Sequence, residues 1–369
     1  MDPKPIEIFE TDGAPRERGK AVGVGRREPI RSCLTAWLAS LNEAGISDPE
    51  QYLSKMLYST TFVESIQKHA PDLLDEILGI AEGARVDSSL LTAAQFMDEE
   101  WAYRNSIRGG VQPNKCSSLA VRSRDGDVLI GQNMDLGGYT DGHQVVLRIG
   151  PSLTERGALI FTISSMISLM GVNANGVAVC VNALPQLPAT PAGVPVAFVI
   201  RKLLQAATLS EAVSIIQTIP HATGQHYLIA DPWEVRSFEA SPICVNELPV
   251  NSTSGFAHTN HPLATDPSGS NSSAINSNAR LRALNQRISM APHDIEWVKD
   301  ALSSRDDPEH PVSREAGDSR SANFLTGMIS FTTGSMISVL GQAAPDIETW
   351  ISCGPPSVSG YTTHLLPRC

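Results

Sequence analysis

Cys116 and Asp135 are the residues whose types and setting point most directly to chemistry. Cys116 opens a strand-like apolar run, Cys116-Ser-Ser-Leu-Ala-Val-Arg122, after a glycine- and proline-containing stretch at 109–115. Arg124-Asp125-Gly126-Asp127 follows, and Asp-Gly between apolar runs is a strong turn signal. Val128-Leu-Ile-Gly-Gln132 reads as the returning strand and continues into Asn133-Met134-Asp135. The hairpin brings Asp135 back near Cys116, so a thiol meets a carboxylate across two adjacent strands. A free cysteine is most often a small buried hydrophobe. The position of Cys116 at the open end of the hairpin is what marks it as a candidate nucleophile.

Other motifs carry less. Gly23-Val24-Gly25 lacks the third glycine and the preceding strand of a nucleotide-binding loop. Ser65-Ile66-Gln67-Lys68 matches S-x-x-K without its S-D-N or K-T-G companions, and reads as a helix face. No G-x-S-x-G is present. His258-Thr259-Asn260-His261 has no H-E-x-x-H pattern or adjacent carboxylate cluster, so local hydrogen bonding is the better reading than a metal site. Six cysteines without any C-x-x-C pair argue against zinc ribbons and thioredoxin-like motifs. They are too sparse for a disulfide scaffold.

Elements of both periods must position these residues. From about 28 to 107 the pattern is helical: Ile30, Cys33, Leu34, Trp37, Leu38 and Leu41 recur at helical spacing. Leu73, Leu74, Ile77, Leu78 and Ala81 do the same, started by Pro71 and stopped by Gly83. Ser88 or Ser89 caps a third helix. After Cys116 the period turns to strands, with His143–Ile149, Ala158–Ile163, Leu169–Val172 and Val177–Asn182. Helices return at Val196–Ala207 and Glu211–Ile219, the latter capped by Ser210. Strands His226–Ala230 and Glu234–Ala240 follow. Residues 262–280 read as a surface loop, 303–322 as a second polar stretch, and Phe324–Phe331 with Ser335–Leu340 as a final hairpin. Consecutive hairpins favour antiparallel sheets over βαβ crossovers. The economical packing is α+β: an αββα sandwich of two antiparallel sheets flanked by helices.

The chain has 369 residues, 41% of them hydrophobic, which is enough for a sizeable core. Its net charge is −11, spread over both halves without a basic patch, which argues against a nucleic-acid partner. No apolar run is long enough for a membrane span, and the polar N-terminus has no signal-peptide pattern. A cytoplasmic location is the resulting expectation.

The hairpin sequence, Cys-Ser-Ser-Leu-Ala-Val…Asp-Gly…Gly-Gln-Asn-Met-Asp, resembles the nucleophile hairpin of the acyl-coenzyme A:isopenicillin N (6-aminopenicillanic acid) acyltransferase family of N-terminal-nucleophile (Ntn) hydrolases. Further pieces with counterparts there are Gly13-Ala-Pro-Arg-Glu-Arg-Gly19, Ala70–Gly83, Gly171-Val-Asn-Ala-Asn-Gly176, Phe238-Glu239-Ala-Ser-Pro and His258-Thr-Asn-His261. The resemblance runs from about residue 10 to 345. It implies self-cleavage between Lys115 and Cys116. Residues 1–115 become an α chain or pro-segment and 116–369 a β chain, together one composite domain.

The resemblance assigns roles by position. Cys116 is the nucleophile, and its freed α-amine, with a pKa of ~7.7–8.0, is the base. Asp135 orients that amine and balances its charge. Asn260 donates to the oxyanion or steadies the nucleophile. Asn182 sits where distant relatives place a second oxyanion donor. Arg320 falls near the family's catalytic arginine, with Arg314 as its rival. Two departures stand out. Lys115 replaces the glycine often found before the nucleophile, and Met134 replaces an aromatic residue.

The implied activity is hydrolysis of a small acyl amide through an acyl-Cys116 intermediate, with no cofactor and no metal. The alternatives are acyl-coenzyme A-dependent N-acyl transfer in the same fold, and an uncleaved non-catalytic homologue with a binding role. The implied partners are a small-molecule amide or acyl substrate and, after cleavage, an αβ heterodimer that could associate further.

Overall fold

The structure is a computed structural model describing residues 4–108, 116–151, 156–251, 255–265, 274–290, 293–318 and 330–368. It opens with strand β1 (Ile8–Thr11) and then seven helices. These are α1 (Pro15–Gly25), α2 (Arg27–Glu43), α3 (Pro49–Ser59), α4 (Phe62–His69), α5 (Pro71–Ala84), α6 (Ser88–Ala94) and α7 (Met97–Arg108). Six strands follow: β2 (Ser117–Arg122), β3 (Val128–Gly137), β4 (Gln144–Ile149), β5 (Ala158–Ile163), β6 (Met170–Asn173) and β7 (Ala178–Ala183). Helices α8 (Val196–Gln205) and α9 (Leu209–Thr218) lead to β8 (Gln225–Ala230), β9 (Val235–Ala240), β10 (Val245–Leu248) and β11 (Phe256–His258). Helices α10 (Ile275–Ile288) and α11 (Ile295–Leu302) precede β12 (Ser330–Leu340), β13 (Asp346–Ser352) and β14 (Thr362–Pro367).

Among the described residues the strands form two sheets. One is eight-stranded, in the order β1-β4-β5-β6-β7-β8-β9-β10, and the other six-stranded, in the order β11-β2-β3-β12-β13-β14. Every pairing is antiparallel except β1 with β4, which is parallel. The sheets face each other through β2, β3 and β12 against β6, β7 and β8. Helices α8 and α9 cover the outside of the larger sheet, and α10 and α11 that of the smaller. This is the expected αββα sandwich, with β1 as an added edge strand.

Period-two alternation divides β2 and β3 between two cores. Leu119, Val121 and Leu129 pack outward beneath α10 and α11, while Cys116, Ala120, Ile130 and Met134 join the main core. A strand buried on both faces reads as a continuous apolar run rather than an alternating one, which is how 116–122 looks in the sequence.

Several boundaries differ from the sequence reading. Gly83 does not stop its helix. Gly19 and Gly23 of α1 cross Gly79 and Gly83 of α5 backbone to backbone: a Cβ at Gly19 would lie 2.0 Å from the Glu76 carbonyl oxygen. Gly19 and Gly23 therefore serve helix packing, and α5 ends instead at Arg85 in the left-handed conformation, φ 55°. The caps of α6 and α9 are Asp87 and Thr208, one residue before Ser88 and two before Ser210. The stretch read as loop to 280 becomes helical at Ile275, because Leu281, Leu284 and Ile288 can cover the smaller sheet. The expected final hairpin is corrected too. Phe331 and Ser335–Leu340 belong to one strand, with a register shift between Thr332 and Gly334 where it follows β3. Gly334 is needed there, since a Cβ would strike the Phe161 ring at 2.2 Å. Phe324–Ile329 lies outside the described residues.

The α1–α5 crossing carries an ionic centre. Glu76 is buried and accepts from Arg18 Nη2 of α1 at 2.5 Å and from Arg201 Nη1 and Nη2 of α8 at 2.9 Å each. It thereby ties the segment before Cys116 to a helix after it. Burial pushes the Glu76 carboxyl up, but Arg201 and Arg18 outweigh that and hold it below the usual glutamate range. A carboxylate held low contributes stability that is complete above its unfolded value near 4.5 and is lost as pH falls through its lower folded value. Glu76→Gln leaves two buried guanidinium groups short of a counter-charge and should cost about 3–5 kcal/mol. Urea unfolding at pH 7 and below pH 4 checks this: the deficit is large at pH 7 and shrinks in acid.

Candidate active site

Cys116 stands immediately before β2 and is buried. The β2–β3 register pairs Ser117 with Asn133, and one further step places Cys116 opposite Met134. Its Sγ lies 3.5 Å from Met134 Sδ and 3.9 Å from the Asp135 carbonyl oxygen. The β11–β2 register pairs His258 with Ser118, so its continuation brings Asn260 opposite Cys116. The two ladders thus gather Cys116, Asp135 and Asn260, as their motifs suggested.

Sequence reasoning missed the group that joins them. Arg280 of α10 is buried and donates from Nη1 to the Cys116 carbonyl at 2.6 Å and to Ser117 Oγ at 2.7 Å. Its Nη2 donates to Asn260 Oδ1 at 3.1 Å, and its Nε to Asn276 Oδ1 at 2.9 Å. Burial lowers its pKa to about 10, against the opposing pull of Asp135. It therefore stays a cation at neutral pH. Residue 280 closed a polar stretch read as a loop; the apolar spacing of Leu281, Leu284 and Ile288 was the available signal for its helix.

Asp135 is held by Thr332 of β12, whose hydroxyl donates to Oδ1 at 2.7 Å and accepts the Arg314 N–H at 2.9 Å. Arg314 is buried, and its cation interacts with Asp135. The rival arginine is thus the one that reaches this centre among the described residues. Arg320 and Lys115 lie outside them. Asn260 Nδ2 donates to the Ala183 carbonyl at 3.0 Å. Asn182 is drawn elsewhere: its Oδ1 accepts from Ser118 Oγ at 2.6 Å and from His226 Nδ1 at 2.9 Å. It reaches the strand of Cys116 through Ser118.

The His-Thr-Asn-His segment is a positioning device. Glu239 accepts from His258 Nε2 and from the N–H groups of Leu263 and Ala264, which fixes the loop bearing Asn260. His226 stacks on His258 with ring centres 3.7 Å apart, and burial holds it well below its usual pKa, so it stays neutral. Among the described residues no cluster of three or more His, Cys, Asp or Glu could hold a metal, and no helix is long and apolar enough to cross a membrane.

The thiol faces a cleft. A chamber of about 30 Å³ is lined by Cys116, Met97, Met134, Met166 and Leu169, among others. Asp98, Ala183 and Gln225 line both this chamber and an outer lobe of about 250 Å³. Ala102, Ser106, Ala189 and Thr223 connect that lobe to a side lobe of about 270 Å³. Burial, with Asp135 adding to it, pushes the Cys116 thiol up to about 12. In the continuous chain the sulfur is therefore a protonated thiol at neutral pH, and making a thiolate requires a base beside it.

An αββα sandwich with a buried cysteine at the head of a central strand, at the end of a cleft, is the arrangement of the Ntn-hydrolase fold. The family model described as acyl-coenzyme A:6-aminopenicillanic acid acyl-transferase matches residues 121–345, and the chain belongs to this family. Similar to it is the 40 kDa form of acyl-coenzyme A:6-aminopenicillanic-acid-acyltransferase of Emericella nidulans, 28% identical over 204 residues. That match covers 54% of this chain and 55% of the relative, about half of each. Among solved structures, a Caenorhabditis elegans N-acylethanolamine-hydrolyzing acid amidase ortholog aligns with a TM-score of 0.45 at 15% identity, over 68% of this chain and 100% of that one. Penicillin V acylase from Agrobacterium tumefaciens aligns with a TM-score of 0.44 at 13% identity, over 68% and 86%.

Thr332 bridges a buried carboxylate and a backbone N–H, and valine would keep its shape without the hydroxyl. Thr332→Val should therefore lower stability by about 1–3 kcal/mol, read from the urea midpoint at constant slope. A change under ~0.5 kcal/mol would show that the bridge is dispensable.

Proposed function

We propose that the protein is a self-cleaving Ntn amidohydrolase that acts on a small acyl amide through an acyl-Cys116 intermediate. The observation that carries this is the two-sided setting of Cys116. Its thiol lines the end of the cleft, while its backbone is gripped by Arg280 next to Asp135.

In maturation the Cys116 sulfur attacks the carbonyl carbon of Lys115. The C–N bond breaks, the thiol proton passes to the departing nitrogen, a thioester forms, and the α-amino group of Cys116 is released. Water then hydrolyses the thioester, leaving the Lys115 carboxylate and the free thiol. That amine supplies the base that the buried thiol lacks, and Asp135 balances its charge when protonated. In turnover the amine takes the thiol proton as sulfur adds to the substrate carbonyl, then passes it to the leaving amine. Water resolves the acyl-cysteine. Asn260 stabilises the oxyanion by giving up its bond to the Ala183 carbonyl, and Arg314, buried beside Asp135, is the described arginine that fits the family's catalytic arginine, Arg320 lying outside the described residues. The cleft is walled by α7 from before Cys116 and by β3 and β7 from after it. This supports an αβ heterodimer whose α chain stays bound.

A second reading, acyl-coenzyme A-dependent N-acyl transfer, is favoured by the name of the matching family. Against it, no Lys, Arg or His is among the described residues lining the three lobes, so a phosphate group finds no cationic partner there. Thioester consumption with an amine acceptor separates the two.

Intact mass under denaturing, reducing conditions tests maturation. Two chains with a new N-terminus at Cys116, absent in Cys116→Ala, are expected. A single full-length species in the wild type would instead support a non-catalytic binding role. Lys115→Gly should speed cleavage by easing the backbone into the attacking geometry. On matured protein, Asn260→Ala should lower kcat by about 10²–10³-fold, the usual effect of losing one oxyanion donor; a loss under tenfold would remove Asn260 from that role.

A further inference from the structure

The first turn of helix α7 carries three consecutive acids, Asp98, Glu99 and Glu100. Glu100 is accounted for: Arg104 lies 3.3 Å away, and the Tyr52 hydroxyl donates to it at 2.7 Å. Asp98 and Glu99 have no cation within ion-pair distance among the described residues. Asp98 Oδ2 accepts from Gln225 Nε2 at 2.5 Å. Glu99 Oε1 accepts from the Val196 N–H at 3.1 Å and the Thr223 hydroxyl at 3.0 Å. Glu99 is only 1% exposed, yet its Oε2 has no hydrogen-bond partner among the described residues. Such an atom, buried in a cavity wall, costs free energy until something donates to it.

Both carboxyls border the cleft, and at different points along it. Asp98 stands at the neck between the Cys116 chamber and the outer lobe, and Glu99 lines the side lobe. They are the only charged residues described in any of the three linings. Burial pushes Asp98 up to about 6, and burial together with Asp98 pushes Glu99 up to about 8. Both values mark carboxyls that lack a counter-cation. The inner chamber, by contrast, is lined by methionines and aliphatic side chains that can shift around an acyl chain. An acyl group seated there directs the amine portion of the substrate outward, past Asp98.

We propose that Asp98 and Glu99 bind a protonated amino group on the leaving portion of the substrate, so that the preferred substrates are acyl amides of amines carrying a second, cationic amine. This rests on the amidohydrolase reading for its chemistry, but its recognition step does not require turnover. Glu99, at about 8, is largely protonated in the empty cleft at pH 7; a bound ammonium displaces that proton and supplies both the counter-charge and the donor for Oε2. An anionic leaving portion meets two carboxyls and no compensating base.

The test uses full-length Cys116→Ala, the continuous chain whose cleft is described above, and isothermal calorimetry at pH 7. Three matched probes differ only in their end group: N-acetylputrescine (cationic), N-butylacetamide (neutral) and N-acetyl-4-aminobutyrate (anionic). The cationic probe should bind at least ~10-fold tighter than the neutral one, and the anionic probe most weakly. Asp98→Asn or Glu99→Gln on the same background should bring the cationic-to-neutral ratio below about 3. Equal affinities, no binding of any probe below about 10 mM, or a ratio unchanged in both variants would overturn the proposal. Thermal unfolding of each variant shows that it is folded, and the three-probe comparison in Cys116→Ala alone remains decisive if one is not. Hydrolysis of neutral amides by the matured protein without any cation preference would overturn this inference alone. Cation binding by a chain that never acylates at Cys116 would overturn the amidohydrolase reading alone.

Discussion

The buried guanidinium of Arg280 is the constraint around which the site is arranged. A cation removed from water must be paired or hydrogen-bonded on nearly every donor. Here the partners are the Cys116 carbonyl, Ser117 Oγ, Asn260 Oδ1 and Asn276 Oδ1. They come from the head of β2, the loop after β11 and α10 itself. Satisfying one side chain therefore fixes three separate stretches of chain against one another. It also sets the electrostatics, because Arg280 and Arg314 offset the Asp135 carboxylate where all three are buried.

A second buried ionic centre acts on a larger scale. Glu76 joins α1 and α5 to α8, and so fastens the helices before Cys116 to the layer covering the larger sheet. The close crossing of α1 on α5 makes this possible, since only glycines at 19, 23, 79 and 83 let the backbones approach so far. The same helical segment ends in α7, which contributes a wall of the cleft and both of its acids. The helical part of the chain before Cys116 is thus built into the core and into the wall of the cleft.

Cys116 sits in an environment that disfavours thiolate in the continuous chain. Its desolvation and the neighbouring carboxylate act in the same direction. A base created only by chain cleavage, as proposed above, would tie the reactivity of the sulfur to maturation. Glu239 has a quieter role: it closes the loop bearing Asn260 through three hydrogen bonds, one of them from His258.

Local signals in the sequence determined the order of helices and strands, the Asp125-Gly126 hairpin and the nearness of Asp135 to Cys116. These depend on periodicity, turn residues and register over short separations, all of which are written in neighbouring residues. The αββα layering followed from the same hairpins, and the family resemblance from motifs that lie along the chain. Contacts between distant segments were decided only by the tertiary structure. Gly83 looks like a helix stop until α1 is laid across it, and Phe331 to Leu340 looks like half of a hairpin until β3 extends beside it. The sequence put Arg320 ahead of Arg314, yet the burial of Arg314 next to Asp135 is a property of the fold. Arg280, Asp98 and Glu99 carry no sequence signature at all: a charged residue acquires its meaning from what remains to neutralise it once water has been excluded, and that is settled by packing rather than by its neighbours in the chain.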